Sequence, residues 1–435
     1  MCKAFCYKKF DFNFETGELS LFYQFKENLF EEKIIFPNAP FNLSEEKRKA
    51  LNQIFFLTHI AFGISYYKAF CPEKIEIQSG SLSKNEAHFF NKFYLEGLGE
   101  FAVRNNLNLQ GKITFPFSEN SAVSTYLIPF KKRFLVPIGG GKDSCVSIEL
   151  LSKSQEEIAA ISIGLPRPIK ECIQKATIPS FAIKREISPL LIELNNQGTV
   201  YNGHVPITGM LAFVLWISAL LYDYQFVAMS CESSANSGNL MQGELAINHQ
   251  YSKSFDFEKD FYQITHSVTP SFLYFSLLRS FSELKIAELF AKLCEKYFTV
   301  FTSCNKAFKL DTTKRLDRWC GSCDKCRFVF LILAPFMDKK TLIQAVGCNP
   351  LNDLNNLEGY KELLGINGHK PFECVGEIEE CRQAFQFLIK SNQYKDDLII
   401  KELKNIIPEN QKDFLNTFSS HQIPMELFHE ISKLI

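Results

Sequence analysis

The sequence has no excess of charge of either sign, no long apolar run and no visible export signal. Lysine and arginine together number 48, as do aspartate and glutamate, so the chain as a whole does not attract nucleic acid or anionic lipid. The longest apolar stretch, Met210 to Tyr222, is shorter than the roughly 20 residues that span a bilayer, so it predicts a buried helix. The N-terminal sequence MCKAFCYKKFDFNF has no apolar segment followed by a small-residue cleavage site. We expect a cytoplasmic protein with no nucleic-acid or membrane partner.

The composition is that of a globular protein. The 435 residues are 46% hydrophobic and 22% charged and include 43 phenylalanines, which gives ample apolar surface for burial. A prior of roughly 150 residues per domain suggests two or three domains. In the cytosol the fourteen cysteines are expected to be reduced, bound to metal or reactive.

The first part of the chain has the pattern of a small α+β unit. Phenylalanines alternate with polar residues from Phe10 to Phe14, and Thr16-Gly17 then leads into the run Leu19 to Phe25, which predicts a hairpin. Ser44 has the features of a helix start. A second helix is predicted from about Lys84 to Asn105.

The pattern of apolar and polar residues changes after about residue 131. Short apolar runs at Phe134 to Ile138, Ala159 to Leu165 and Phe226 to Ser230 alternate with helical segments, a pattern typical of a parallel sheet covered by helices. Ligands of such sheets bind beyond the carboxyl ends of the strands. After about Phe336 the pattern is one of amphipathic helices, including Glu377 to Lys390 and a segment from residue 395 to residue 406.

A glycine loop follows the first of these apolar runs and precedes a helical pattern. It consists of Gly139, Gly140, Gly141, Lys142, Asp143 and Ser144. Glycines let the backbone turn tightly and bring its amides close to a phosphate, and a helix N-terminus adds roughly half a positive charge. Lys142 can neutralise a phosphoryl oxygen, Asp143 can hold a magnesium ion, and the Ser144 hydroxyl can donate a hydrogen bond. The alternative is a glycine-rich turn without a ligand.

This loop is not a Walker A motif, because Asp143 replaces the required Ser or Thr and Val136 stands at the upstream glycine position. It resembles the SGGxDS loop of the PP-loop ATP pyrophosphatases, with Gly139 where that superfamily usually has serine. The resemblance implies an adenine nucleotide alpha hydrolase-like core that splits ATP into AMP and pyrophosphate and adenylates a carboxyl or similar oxygen.

A cluster of cysteines lies further along the chain. Its members are Cys304, Cys320, Cys323 and Cys326. Three closely spaced thiolates and one from a distant loop can close a tetrahedral zinc site with no open position, so a structural Zn²⁺ is predicted. An iron–sulfur cluster is an alternative, although Phe330 stands where a ferredoxin-type run has its next cysteine. Reduced cysteines without metal are the other alternative.

Two polar segments are candidates for the substrate loops. One follows the run Phe226 to Ser230 and contains Glu232; the other, residues 247–254, contains His249 and Lys253. His249 or Lys253 can shuttle a proton and Glu232 can oppose it, so these three are the predicted catalytic residues. Each of them can instead be an ordinary surface or capping residue.

Taken together, these segments occur in the order typical of one family. With VPIGGGKDS, INHQYSKSFDFE, LLRSFSELKIAELF, SCNKAF and WCGSCDKCRFVFLILAPF, the chain resembles the UDP-N-acetyl-α-D-muramoyl-L-alanyl-L-glutamate epimerases of bacterial peptidoglycan synthesis. The resemblance is densest from about Val136 to Phe336. It departs where the family has Asn-Glu-Arg-Ser-Ala-Asn and this chain has Cys231 to Asn236. If the family's arginine holds a substrate carboxylate or phosphate, Ser233 cannot replace it.

The resemblance implies an ATP- and Mg²⁺-dependent epimerisation. ATP on the loop from Gly139 to Ser144 would adenylate the terminal L-Glu of UDP-MurNAc-L-Ala-L-Glu, and the α-proton would then be removed on one face and returned on the other. The implied fold is α/β, with a parallel-sheet PP-loop core. The predicted parts are an N-terminal α+β unit for substrate recognition (1–125), an ATP-binding catalytic domain with the cysteine cluster (126–340) and a helical C-terminal region (341–435).

Two other functions are compatible with the same sequence motifs. One is a PP-loop nucleobase-modifying enzyme, either a tRNA thiolase or a 7-cyano-7-deazaguanine synthase type, which uses the same loop. Zero net charge argues against a tRNA client, and 435 residues is long for the deazaguanine enzyme. The other is a nucleotide-binding module without catalysis.

Overall fold

The chain forms two compact units, each assembled from three separate segments. The computed structural model describes residues 4–121, 123–238, 240–242, 245–309, 312–367, 371, 373–408 and 412–435. The first unit comprises Met1–Leu135, Phe181–Val227 and Gln250–Tyr274, and the second comprises Val136–Ser180, Ala228–His249 and Phe275–Ile435. The predicted division of the chain near residues 125 and 340 stays a prediction.

The secondary structure combines strands and helices throughout the described residues. The strands are β1 (Ala4–Asn13), β2 (Glu18–Phe25), β3 (Asn28–Ile35), β4 (Lys74–Ile77), β5 (Phe134–Pro137), β6 (Ile158–Ile163), β7 (Ser180–Glu186), β8 (Phe226–Met229), β9 (Leu240–Gln242), β10 (Leu245–Ile247) and β11 (Leu273–Ser276). The helices are α1 (Glu45–Phe62), α2 (Ile64–Tyr67), α3 (Lys84–Gly97), α4 (Gly99–Arg104), α5 (Lys142–Lys153), α6 (Arg167–Ala176), α7 (Pro189–Gln197), α8 (Ile207–Tyr222), α9 (Phe255–Val268), α10 (Glu283–Leu293), α11 (Asp324–Leu333), α12 (Lys339–Val346), α13 (Leu357–Leu363), α14 (Ile378–Lys390), α15 (Leu398–Leu403) and α16 (Met425–Ser432).

The first unit is built on strands in the order β7-β3-β2-β1-β4. β1 and β2 are antiparallel, as are β2 and β3, while β4 runs parallel to β1. The predicted hairpin is therefore confirmed. In its turn the Asn13 side chain accepts hydrogen bonds from the amides of Glu15 and Thr16. Gly17 has φ of 73°, and a Cβ there would lie 2.4 Å from the Phe36 carbonyl oxygen, so only glycine fits.

The helices of the first unit follow the predictions with one exception. α1 begins after Ser44, whose hydroxyl accepts a hydrogen bond from the Lys47 amide, and the apolar α8 is almost wholly buried. The predicted helix from Lys84 to Asn105 is instead two helices, α3 and α4. The break lies between Gly97 and Gly99, where helix propensity is low. Among the residues described, none of the helices combines the length and apolar character needed to cross a membrane.

The structure contains the predicted strand–loop–helix pattern. The three apolar runs correspond to β5, β6 and β8, with neighbouring strands in the order β11-β8-β5-β6. β5 and β8 are parallel, with Phe134 opposite Phe226. α14 confirms the first predicted C-terminal helix, whereas the second one is shorter than expected, since α15 is only six residues long. The α/β class is thus confirmed.

Candidate active site and cysteine cluster

The glycine loop joins β5 to α5 and is fixed by backbone hydrogen bonds to two other segments of the second unit. The Ile138 amide donates to the Ile161 carbonyl at 2.9 Å, and the Thr302 amide donates to the Gly140 carbonyl at 2.8 Å. Gly140 has φ of 80°, and a Cβ at this position would lie 3.3 Å from the Ile169 nitrogen. The positive φ favours glycine here and the close approach leaves little room for a side chain, which explains the tight turn that the sequence predicts.

The other two glycines of the loop differ in their surroundings. A Cβ on Gly141 would lie 2.7 Å from the Ser303 hydroxyl oxygen, whereas a Cβ on Gly139 would meet nothing within 4 Å. Gly141 is also the N-cap of α5 and provides no side-chain oxygen to the first-turn amides of this twelve-residue helix. Open space next to uncapped helix amides fits a phosphate group.

Lys142 is buried between two carboxylates instead of facing the open space beside the loop. Its side chain is 2% exposed, and its Nζ contacts both Asp143 Oδ1 and Glu283 Oε2. Burial alone would lower the pKa of Lys142, but the Asp143 and Glu283 carboxylates outweigh it, so the pKa is raised. The two carboxylates therefore favour the ammonium form of Lys142, and its predicted phosphate contact remains a prediction.

Glu283 is hydrogen-bonded through its backbone to one further buried glutamate, Glu380. Glu283 begins α10 and its backbone amide donates to Glu380 Oε1 at 2.9 Å, while the Glu377 amide donates to Glu380 Oε2 at 2.9 Å. Burial raises the pKa of Glu283, and the Lys142 ammonium beside it opposes that shift and favours the carboxylate form. Burial, together with the nearby Glu283, raises the pKa of Glu380 to about 8. The second unit thus concentrates buried acidic groups beside the glycine loop.

The sequence predictions missed Glu283 and Glu380. Glu283 lies 141 residues from Lys142 in sequence, and Glu380 lies 97 residues from Glu283, so no local spacing connects them. Both belong to amphipathic helix patterns, in which a glutamate is expected on the solvated face. The only sequence signal is a charged residue at a helix start, which is too common to predict burial.

Glu232 lies at the carboxyl end of β8, as predicted for this ligand-loop candidate. Its side chain is buried, and its backbone carbonyl accepts a hydrogen bond from Arg279 Nη1 at 2.7 Å. A short 3-10 turn, Ser233–Asn236, follows, and the Ser233 amide donates to the Phe281 carbonyl. Glu232 is close enough for its charge to help raise the pKa of Glu283. This loop and the glycine loop thus contribute charges to one region of the second unit.

His249 and Lys253 belong to different units of the chain. His249 follows β10 in the second unit, whereas Lys253 ends the 3-10 turn Tyr251–Lys253 of the first unit. The Lys253 amide donates to the Gln250 carbonyl at 2.7 Å, which fixes the backbone of that turn. The acid and base roles of His249, Lys253 and Glu232 stay predictions.

The four predicted metal ligands lie together in the second unit. The sulfur atoms of Cys304, Cys320, Cys323 and Cys326 are all within 4.8 Å of one another. The sulfur–sulfur distances are 3.4 Å for Cys323–Cys326, 3.7 Å for Cys320–Cys326 and 4.0 Å for Cys304–Cys323. Tetrahedral zinc with Zn–S bonds of about 2.3 Å needs sulfur atoms about 3.8 Å apart, so the arrangement fits.

The elements around the cysteines explain how distant residues meet. Cys304 precedes a 3-10 turn, Cys323 is the N-cap of α11, and Cys326 lies in the first turn of that helix. Hydrogen bonds among these thiols lower the pKa of Cys304 and raise that of Cys326, so the thiols are coupled through shared protons. No disulfide bond joins any of the cysteines in the described part of the chain. The prediction that this cluster can hold a metal is confirmed.

Comparison with known proteins covers nearly the whole chain. Residues 1–277 match the model of the MurL N-terminal domain, and residues 300–417 match that of the MurL C-terminal domain. A UDP-N-acetyl-α-D-muramoyl-L-alanyl-L-glutamate epimerase of Xanthomonas oryzae pv. oryzae is 38% identical over 426 residues, which are 96% of this chain and 94% of that protein. A protein of the same name from a Micromonospora species is 34% identical over 97% of this chain and 96% of its own length.

These matches confirm the resemblance that the sequence motifs indicate. Both family models match: the first includes the glycine loop, and the second includes the cysteine cluster. The chain belongs to the MurL family of UDP-N-acetyl-α-D-muramoyl-L-alanyl-L-glutamate epimerases.

Proposed function

We propose that this protein is an isomerase that converts the terminal L-Glu of UDP-MurNAc-L-Ala-L-Glu to D-Glu in peptidoglycan precursor synthesis, with ATP cleaved to AMP and pyrophosphate. The relatives named for this dipeptide match at 34–38% identity over almost the full chain. The structural observation that carries the ATP dependence is the glycine loop between β5 and α5, with open space at Gly139 beside uncapped helix amides.

Activation of the carboxylate explains why an epimerase would need ATP. Removing the α-proton beside a free carboxylate would place a second negative charge next to the first. When the α-carboxylate oxygen attacks the α-phosphorus of ATP, pyrophosphate leaves and the resulting acyl-adenylate has no carboxylate charge. The α-carbon is then acidic enough for a side chain to take its proton. Water finally attacks the acyl carbon and releases AMP and the D-Glu product.

The loop residues have the chemistry that this step needs. The Gly139 and Gly140 backbone and the first amides of α5 would hold the phosphates. Asp143, whose side chain is 29% exposed, would bind Mg²⁺, and Ser144 lies on the first turn of α5. The magnesium ion, when bound, neutralises charge on the phosphate oxygens.

Inversion requires two proton-transfer groups on opposite faces of the α-carbon. The proposed candidates for these two positions are Glu232 at the end of β8, His249 and Lys253. The Glu232 side chain is buried, which supports a role in proton transfer because its carboxylate is kept away from solvent.

The four clustered cysteines would hold a structural zinc ion. All four positions of a tetrahedral ion would be occupied by thiolates, so no position remains for substrate. Binding of such an ion contributes on the order of 10 kcal/mol to folding of the region it connects. The thiols must stay reduced to bind it, which supports placing the enzyme in the cytoplasm.

An assay in heavy water tests this function. The enzyme is incubated with MgATP and UDP-MurNAc-L-Ala-L-Glu in deuterium oxide, and the product is hydrolysed for chiral and mass analysis of glutamate. We expect D-Glu, deuterium at the α-carbon, and AMP and pyrophosphate formed together. Asp143→Asn should lower the rate at least about 100-fold, because it removes the proposed magnesium ligand. Absence of both α-deuterium and AMP would contradict the proposal.

A further inference from the structure

Lys142 is shared by two carboxylates that differ sharply in exposure. Asp143 belongs to the glycine loop and its side chain is 29% exposed. Glu283 belongs to α10 and its side chain, like that of Lys142, is 2% exposed. One buried cation therefore connects the proposed magnesium ligand to a helix elsewhere in the second unit.

The position of Glu283 is fixed from its backbone. Ser282, the N-cap of α10, accepts a hydrogen bond from the Lys285 amide at 3.0 Å and donates one to the Phe414 carbonyl at 2.7 Å. The Glu283 amide donates to Glu380, which also accepts a hydrogen bond from the Glu377 amide. These backbone hydrogen bonds hold Glu283 on residues outside the glycine loop, while its side chain reaches Lys142.

We propose that Glu283 is a positioning residue of the ATP site: it retains the Lys142 ammonium group so that the Asp143 carboxylate can exchange that cation for Mg²⁺. The inference rests on the proposed function, because it concerns the same loop.

The physical basis is the cost of leaving a buried ammonium without an anion. When Asp143 turns to a magnesium ion, Lys142 keeps its contact with Glu283 and remains compensated. Without the Glu283 charge, Asp143 would be the anion left in contact with Lys142. The ammonium would then compete with Mg²⁺ for that carboxylate. Loss of the Glu283 charge should therefore weaken Mg²⁺ binding at Asp143 and raise the Mg²⁺ concentration that ATP binding requires.

The test measures ATP binding to the full chain by isothermal titration calorimetry over a series of Mg²⁺ concentrations, with no dipeptide present. For Glu283→Gln we expect the Mg²⁺ concentration that gives half-maximal ATP affinity to rise about tenfold. Glu288→Gln is the matched control, since Glu288 lies on the same helix, is 38% exposed and pairs with Lys285. The control should leave this concentration unchanged.

A second variant separates positioning from a general loss of structure. In Lys142→Met/Glu283→Gln no ammonium competes for Asp143, so the Mg²⁺ concentration at half-maximal ATP affinity should return to within about threefold of the wild-type value, whatever the ATP affinity at saturating Mg²⁺. The double variant also removes the buried Lys142 ammonium, whose lost partner would destabilise the single variant Glu283→Gln. A Glu283→Gln value within twofold of wild type, or a raised value in the double variant, would overturn the inference. Wild-type protein that binds no MgATP would instead overturn the proposed function.

Discussion

At the residue scale, the pKa of His59 in the first unit is set mainly by burial of its ring. The ring lies on α1 and is fully buried, with Nδ1 3.0 Å from the Ser79 hydroxyl oxygen and Nε2 2.9 Å from the Phe22 carbonyl oxygen. Burial lowers the pKa of His59 from 6.5 to about 4, although the Phe22 carbonyl opposes this shift. The folded protein therefore keeps this histidine neutral in mildly acidic solution.

This shift predicts an acid-sensitive contribution to stability. Above pH 6.5 the histidine is neutral in the folded and unfolded states, but between pH 6.5 and about 4 only the unfolded state takes up the proton. The free energy of unfolding should fall by about 3 kcal/mol over that interval because of this group. His59→Gln, which cannot titrate, should flatten the fall when urea unfolding is measured across the same pH range. Equal slopes for wild type and variant would contradict the assignment.

At the element scale, local patterns predict the loop well and distant contacts poorly. The strand, three glycines and helix of the glycine loop are adjacent in sequence, so their geometry follows from local backbone preferences. Cysteine spacing likewise predicted the cluster, because few other arrangements use three thiols so close together. The contact between Lys142 and Glu283 depends on how α10 packs against α5, which no local pattern encodes. The break between α3 and α4 was missed because glycines within a helical pattern are often tolerated.

The glycine loop also predicts a contrast between neighbouring substitutions. Gly139→Ser adds a side chain at a position where a Cβ meets nothing within 4 Å, so the melting temperature and the affinity for MgATP should stay close to wild type. Gly140→Ser places a side chain at φ of 80° and 3.3 Å from the Ile169 nitrogen. It should weaken MgATP binding at least about tenfold and destabilise the loop by about 1 kcal/mol or more. Calorimetric titration and thermal unfolding would measure both; equal effects of the two variants would contradict the loop geometry.

The cysteine cluster predicts a metal-dependent element. Cys326→Ser should reduce bound zinc from about one equivalent to near zero and lower the melting temperature, because Cys326 connects α11 to the other three thiolates. The control is Cys71→Ser, which changes a cysteine of the first unit and should leave the zinc content unchanged. Elemental analysis of the purified proteins measures the zinc content of each variant. One equivalent of zinc in Cys326→Ser would contradict the assignment of this ligand.

At the scale of the whole molecule, each unit collects segments that are far apart in the chain. The glycine loop, the Glu232 loop, α10 and the cysteine cluster all belong to the second unit, although they span residues 139 to 326. The segments 181–227 and 250–274 between them belong to the first unit. Sequence patterns predict the elements of both units, but the assembly of three segments into each unit depends on long-range packing.

The central claim is that ATP activates the α-carboxylate of the terminal glutamate before the proton moves. The most direct measurement uses UDP-MurNAc-L-Ala-L-Glu with ¹⁸O in that carboxylate and examines the AMP by mass spectrometry after turnover. Attack by the carboxylate on the α-phosphorus, followed by water attack on the acyl carbon, predicts one ¹⁸O atom in the phosphate of AMP. Epimerisation accompanied by AMP without ¹⁸O, or by no AMP at all, would contradict the account.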